Sequence, residues 1–193
     1  MGAALTRTIS DYRYPIIIIA IMAFSAITLF VMGRLPWCEC GYIKFWHGEV
    51  LSSENSQHIS DWYSLSHIVH GFLFYGALKI VMGSSPIGLR AVIATIIEEA
   101  WEILENTNFI IDRYREATFS LHYYGDSIVN SVGDVVFMLI GFMLASRLPI
   151  WATIGLAIGL EVLAAVVIRD NLTLNVIMLV YPLEFIKTWQ LGA

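Results

Sequence analysis

The chain has 193 residues, 58% of them apolar and only 14% charged, with a mean hydropathy of +0.70 and a formal net charge of -5. An ordinary soluble domain carries roughly 25% charge, so this composition excludes one. The acidic balance also argues against a nucleic-acid partner, which would favour a basic patch, and no Gly-rich phosphate loop, dinucleotide fingerprint or zincin motif occurs.

Residues 1–14 hold Arg7, Asp11 and Arg13 and read as a cytoplasmic tail. Residues 15–33 carry no charge and have about the length that a bilayer core needs. No small-x-small cleavage site follows, so this stretch reads as a retained anchor and not as a signal peptide. Bulky Trp37 before Cys38 argues against a lipoprotein box. Residues 34–62 form a predicted outer loop, with Cys38 and Cys40 on either side of Glu39. So short a disulfide would be strained, and two thiolates are too few to close a zinc site alone. An oxidising compartment leaves the disulfide open as an alternative.

Five further apolar segments follow, at 63–83, 86–105, 126–147, 149–168 and 172–185. Glu98, Glu99, Glu102 and Glu105 crowd the end of the 86–105 stretch. The last is short and interrupted by Pro182, which suggests a tilted or re-entrant segment. The expected fold is an all-α polytopic membrane helix bundle, a single membrane domain of five to six transmembrane helices with an outer loop between the first two. Arg7, Arg13, Lys79, Arg90, Arg147 and Lys187 fall on one side and Arg34, Lys44, Arg113, Arg115 and Arg169 on the other. That narrow bias, with the short basic tail, puts the N-terminus on the cytoplasmic side.

The polar residues of these segments gather at one depth. His67 and His70 open the second segment, Glu98, Glu102 and Glu105 end the third, and Asp126, Asn130 and Asp134 open the fourth. Glu161, Arg169, Asp170, Asn171 and Asn175 lie toward the same outer side. At 100° per residue the three glutamates fall within an arc of about 60°. Asp126, Asn130 and Asp134 share one face on a helix, and His67 and His70 can point at one partner. A carboxylate at the bilayer centre costs at least about 2.5–3.5 kcal/mol, so these stripes must face one another inside the bundle.

Two chemistries suit such a cluster. His67, His70, Glu98, Glu102 and Asp126 are ligand types for a divalent metal such as Zn, Mn or Fe. Alternatively Asp112, Asp126 or Asp134 serves as general base with His70 as acid, on a lipid-linked or phosphorylated substrate. Arg113, Arg115 and Arg169 would then hold a phosphate, with Asn130 and Asn175 as further substrate contacts. The non-enzymatic alternative is an ion or proton pathway, or an assembly subunit that pairs with a membrane-protein partner or a second copy of itself. In every case the bilayer is the first partner.

Several strings carry a resemblance. The segments 37–41 (Trp-Cys-Glu-Cys-Gly), 56–63, 66–71 (Ser-His-Ile-Val-His-Gly), 98–106, 112–115 (Asp-Arg-Tyr-Arg), 124–131 and 169–175 resemble an uncharacterised family of bacterial multi-pass inner-membrane proteins. The resemblance spans about residues 30 to 190 and implies a bacterial membrane protein, but no catalytic role. The order of a His-rich helix, an acidic helix and a Gly-Asp-led helix is more loosely similar to VanZ-like membrane proteins. Asn108, Asp112-Arg113 and Asp126-Ser127 also look like the two aspartate blocks of lipoprotein signal peptidase. Thr107 and Gly125 depart from that pattern, and the likeness stops there.

Overall fold

Long apolar runs bounded by Gly and Pro give helices, and the computed structural model, which describes residues 2–118 and 123–192, contains only helices and loops there. In chain order these are α1 (Gly2–Val31), α2 (Ser64–Val81), α3 (Ile87–Glu105), α4 (Asn108–Ala117), α5 (Ile128–Arg147), α6 (Ile150–Ile168), α7 (Leu172–Val180) and α8 (Glu184–Leu191). Four of them are long and apolar enough to cross a membrane: α1 from Tyr12, α2, α5 and α6. The 19 residues of α3 give it a similar reach, about 28 Å, and it packs against α1, α2 and α5. Its glutamates set it apart in composition, not in length.

The bundle has an apolar half and a polar half, and the change comes at matching levels in neighbouring helices. Ala91 and Ala94 of α3 pack with Val135, Met138 and Phe142 of α5 as the buried apolar core. Beyond them α3 buries Thr95, Glu98 and Glu102, and α5 buries Asn130, Ser131 and Asp134. The seam between α2 and α5 is tight because it is built on glycine. A methyl group on Gly71 would collide with the Met138 carbonyl, and one on Gly141 with the Ile68 carbonyl. Small residues let helices in an apolar medium approach this closely. By contrast α6 buries only Ala164, and Ile154, Ile158, Val162 and Val166 stand exposed along it.

The loop between α1 and α2 is fastened to the polar end. The amides of Ile128 and Val129 in the first turn of α5, which have no partner within the helix, donate to the carbonyls of Leu35 (2.8 Å) and Pro36 (3.1 Å). Ser127 caps the helix by accepting from the Asn130 amide, and the Gln57 side chain donates to the Gly125 carbonyl at 2.9 Å. The last apolar stretch does not run through as one helix. It breaks around Pro182 into α7, whose nine residues reach only about 13 Å, and α8. Glu161 near the end of α6 accepts the first amides of α7, those of Leu172 and Thr173 at 3.0 Å each, where a negative charge suits a helix N-terminus.

Candidate functional site

His67 stands at the centre of the polar half. Its Nδ1 lies 2.6 Å from Glu98 Oε1 and 3.7 Å from Glu102 Oε1, and its Nε2 lies 3.7 Å from Asp134 Oδ2. His70, one turn on, places Nδ1 3.0 Å from both oxygens of Glu98. Three helices therefore supply two imidazoles and three carboxylates, with Glu98 0%, Glu102 1% and Asp134 4% exposed. Two overlapping ligand sets result, His67 with His70 and Glu98, and His67 with Glu102 and Asp134. Ser64 donates to Asp134 at 3.0 Å, while Glu102 Oε2 is buried with no hydrogen-bond partner. An unpartnered buried carboxylate oxygen is costly, and it is a place for a cation.

The cluster forms one wall of a cavity of about 290 Å³. Glu98, Glu105, Asp126 and Asp134 line it together with His67 and His70, and no Lys or Arg is among the described residues that do. Asp126 faces the cavity but belongs to neither ligand set. It accepts from the Asn106 amide group at 2.9 Å and the Tyr123 hydroxyl at 3.0 Å. Burial still pushes its carboxyl up to about 6 against those two bonds. Asp134, placed among the general bases from the sequence, is thus the aspartate beside His67, and Asp126 is held apart by neutral donors.

The other expected site residues are dispersed. Exposed Asp112 pairs only with Arg115, at 3.5 Å. Arg113 donates to the Leu179 carbonyl at 2.9 Å, Arg115 to that of Tyr123 at 2.5 Å, and Arg169 to that of Trp189 at 3.1 Å. All three guanidiniums tie chain segments together and none lines the cavity. Asn130 is buried and donates to the His58 carbonyl at 2.9 Å, so it holds the loop. Asn175 does line the cavity, where it accepts from the Tyr114 hydroxyl at 2.9 Å. Sequence reasoning missed Tyr63, Trp101, Tyr114 and Tyr123 as lining residues, and no spacing marks them.

A second cluster lies in the loop. Cys38 and Cys40 form a disulfide, and their sulfurs, Glu54 and His58 lie within 4.8 Å of one another. The fold thus brings two further ligand types to cysteines that alone are too few for zinc. Their atoms are already engaged, however. The Lys44 amide donates to His58 Nδ1 at 3.2 Å, so the ring proton sits on Nε2 and donates to Glu54 at 3.0 Å. Glu54 also accepts from Lys44 Nζ at 2.7 Å and from the Tyr42 hydroxyl at 2.9 Å. Those donors, Lys44 first, hold its carboxyl down at about 2.

Residues 29–192 match the family described as "Protein of unknown function (DUF2585)". The chain is 57% identical over 177 residues to a UPF0314 protein of Brucella anthropi, covering 92% of this chain and 90% of that protein. It is 54% identical over 186 residues to UPF0314 protein NGR_c32320 of Sinorhizobium fredii, covering 96% and 94%. A UPF0314 protein of Paracoccus denitrificans is 50% identical over 185 residues, with the same two shares. None of these three relatives is named as VanZ-like, and no solved structure matches. The chain belongs to the uncharacterised bacterial family described as DUF2585.

Proposed function

We propose that this is a multi-pass protein of the bacterial inner membrane, its N-terminus cytoplasmic, that carries a membrane-embedded divalent-metal centre and acts on a lipid-linked substrate near the outer face. One observation carries the reading: His67, His70 and Glu98 converge on the wall of a cavity that four carboxylates and, among the described residues, no Lys or Arg line, with Glu102 behind them 3.7 Å from His67 Nδ1. The exposed apolar faces of α1 and α6 support the membrane setting.

Of the two overlapping sets, His67, His70 and Glu98 would hold the metal, with Glu102, 3.7 Å from His67 Nδ1, as a further carboxylate beside it. Asp134, on the far nitrogen of the His67 ring, would fix its orientation and tautomer. A metal held there would supply Lewis-acid polarisation and a water of lowered pKa. Asp126, in the lining of the same cavity, would accept or return a proton. The three arginines expected to grip phosphate are spent on carbonyls elsewhere, so the lipid-linked reading is retained and the phosphate-binding one is not.

Metal analysis after gentle detergent extraction tests this reading. One divalent ion per chain is expected, with its loss in H67A and in the doubly substituted H70A/E98Q. Substoichiometric metal in wild-type protein, unimproved by supplementing growth medium, overturns it. The cluster would then be a proton-carrying network, in which Asp134, His67, Glu98 and His70 already stand in series.

A further inference from the structure

The acidic cluster is only one wall of the cavity. Other lining residues are apolar: Phe74 of α2, Ile97 and Trp101 of α3, and Leu172 and Val176 of α7. Two of these residues have a double position. Ile97 is 43% and Val176 50% exposed, so each lines the cavity and also surfaces on the outside of the bundle. Their exposure continues along the same helices through Ile96 and Leu104 on α3 and Ile177 and Val180 on α7. Among the described residues α3 packs on α1, α2 and α5, and α7 on α4, so no extensive helix seam closes α3 against α7. This apolar group meets the polar cluster directly, since Phe74 stacks on His70 with ring centroids 5.7 Å apart.

We infer that the ligand of this cavity is a lipid with an uncharged polar group, which enters sideways from the bilayer between α3 and α7. The inference rests on the proposed membrane setting of the site but not on the metal. Three observations shape it. Apolar lining residues that also surface on the bundle, beside a polar cluster that is buried, match a molecule with a chain and a head. The volume, about 290 Å³, is at the small end for a ligand pocket, roughly 300–1,000 Å³. It accommodates the head and its first carbons, and the rest of the chain stays among the bilayer lipids. The third observation is charge. A phosphate or carboxylate head would meet Glu98, Glu105, Asp126 and Asp134 with no guanidinium or ammonium beside them. An ester, amide or hydroxyl-bearing head meets no such repulsion, and the lining supplies donors and acceptors for it in Asn55, Ser56, Ser66 and Asn175.

The test uses a monoacylglycerol with a diazirine on the acyl carbons nearest the ester, incorporated into liposomes with the full-length protein. Photolabelled peptides are mapped by mass spectrometry, and metal content is measured on the same samples. Labelling at Phe74, Trp101 or Val176 is expected. It should fall by roughly fivefold or more in I97W/V176W, which narrows the mouth. The widened variant I97A/V176A should label at least as strongly as wild type, so a drop in the tryptophan pair is not read as misfolding. In chelator-treated protein a probe with a phosphate head should label these positions more weakly.

Labelling confined to α1 and α6, labelling insensitive to the tryptophan pair, or equal labelling of chelator-treated protein by the phosphate-headed probe overturns the inference, even if metal is stoichiometric before chelation. Loss of label in I97A/V176A as well also overturns it, because the width of the mouth would then not be what controls entry. Portal labelling without metal sinks only the metal centre and leaves the lipid ligand in place.

Discussion

Two groups of histidine and carboxylate occupy the same end of this molecule and are balanced in opposite ways. Around Glu54 in the loop the donors are in excess, with Lys44 at 2.7 Å, His58 at 3.0 Å and the Tyr42 hydroxyl at 2.9 Å all directed at one carboxylate. Around His67 in the bundle the acceptors are in excess. Glu98, Glu102 and Asp134 share two imidazoles, and one oxygen of Glu102 has no partner. The loop group is electrically complete, and its work is to hold residues 42–58 together. The bundle group, by contrast, has carboxylates left over, which is the ground for proposing that a cation joins it. Composition alone does not separate the two; the count of donors against acceptors does.

The same chemical change should therefore have opposite effects at the two places. Glu102→Gln removes a buried charge that lacks a matching cation. It should abolish metal binding and raise the stability of the metal-free protein by up to about 4 kcal/mol, as replacement of poorly compensated buried charge does elsewhere. Glu54→Gln takes the acceptor away from Lys44 and His58 and should lower the melting temperature by a few degrees, with metal content unchanged. Thermal unfolding of chelator-treated protein in detergent reads both. A Glu102→Gln variant less stable than the metal-free wild type would show that the bundle cluster is as self-sufficient as the loop.

Asp126 is the intermediate case, since its donors, Asn106 and Tyr123, are neutral. Burial raises its pKa from the ordinary 3.8 to about 6. The folded chain therefore binds this proton more tightly than the unfolded one does. The resulting stability is fully present below pH 3.8 and is lost as pH rises through about 6. The shift is on the order of 3 kcal/mol across that window. Asp126→Asn should flatten this part of the stability–pH curve, measured by denaturant unfolding at a series of pH values. An unchanged slope would place Asp126 with the fully compensated residues of the loop.

Much of this arrangement was legible from helical phase and depth. His67, Glu98, Glu102 and Asp134 each lie on a helix, so spacing fixes their faces, and the cost of a charge in lipid turns those faces inward. Helical phase says nothing beyond the end of a helix. It groups Asp126 with Asp134 on one face, but Ser127 caps α5, so Asp126 lies outside the helix and its direction is set by Asn106. The arginines show a different limit. Charge bias gives only an expected side for Arg113 and Arg169, and their partners are backbone carbonyls of Leu179 and Trp189, which no side-chain pattern reveals. Asn130 had the right depth and a structural duty, because the loop carbonyl it binds, that of His58, is 72 residues away in the chain.

The smallest expected effect lies in the loop, and it tests whether Lys44 is what completes that cluster. Hydrogen bonds from Lys44, then His58 and Tyr42, lower the Glu54 pKa from 4.5 to about 2. Because the folded value is depressed, the stabilisation is present above pH 4.5 and is lost as pH falls toward about 2. Trp62 reports on the same loop: its indole donates to the Gly48 carbonyl at 3.1 Å and meets the edge of Trp46 at a centroid distance of 5.3 Å. Acid titration should therefore shift tryptophan emission, and Lys44→Met should move that transition upward toward 4.5 without altering metal content. If Lys44→Met leaves the midpoint where it was, the ammonium is not the group that balances Glu54, and the absence of such a group around His67 loses its force as an argument for a bound cation.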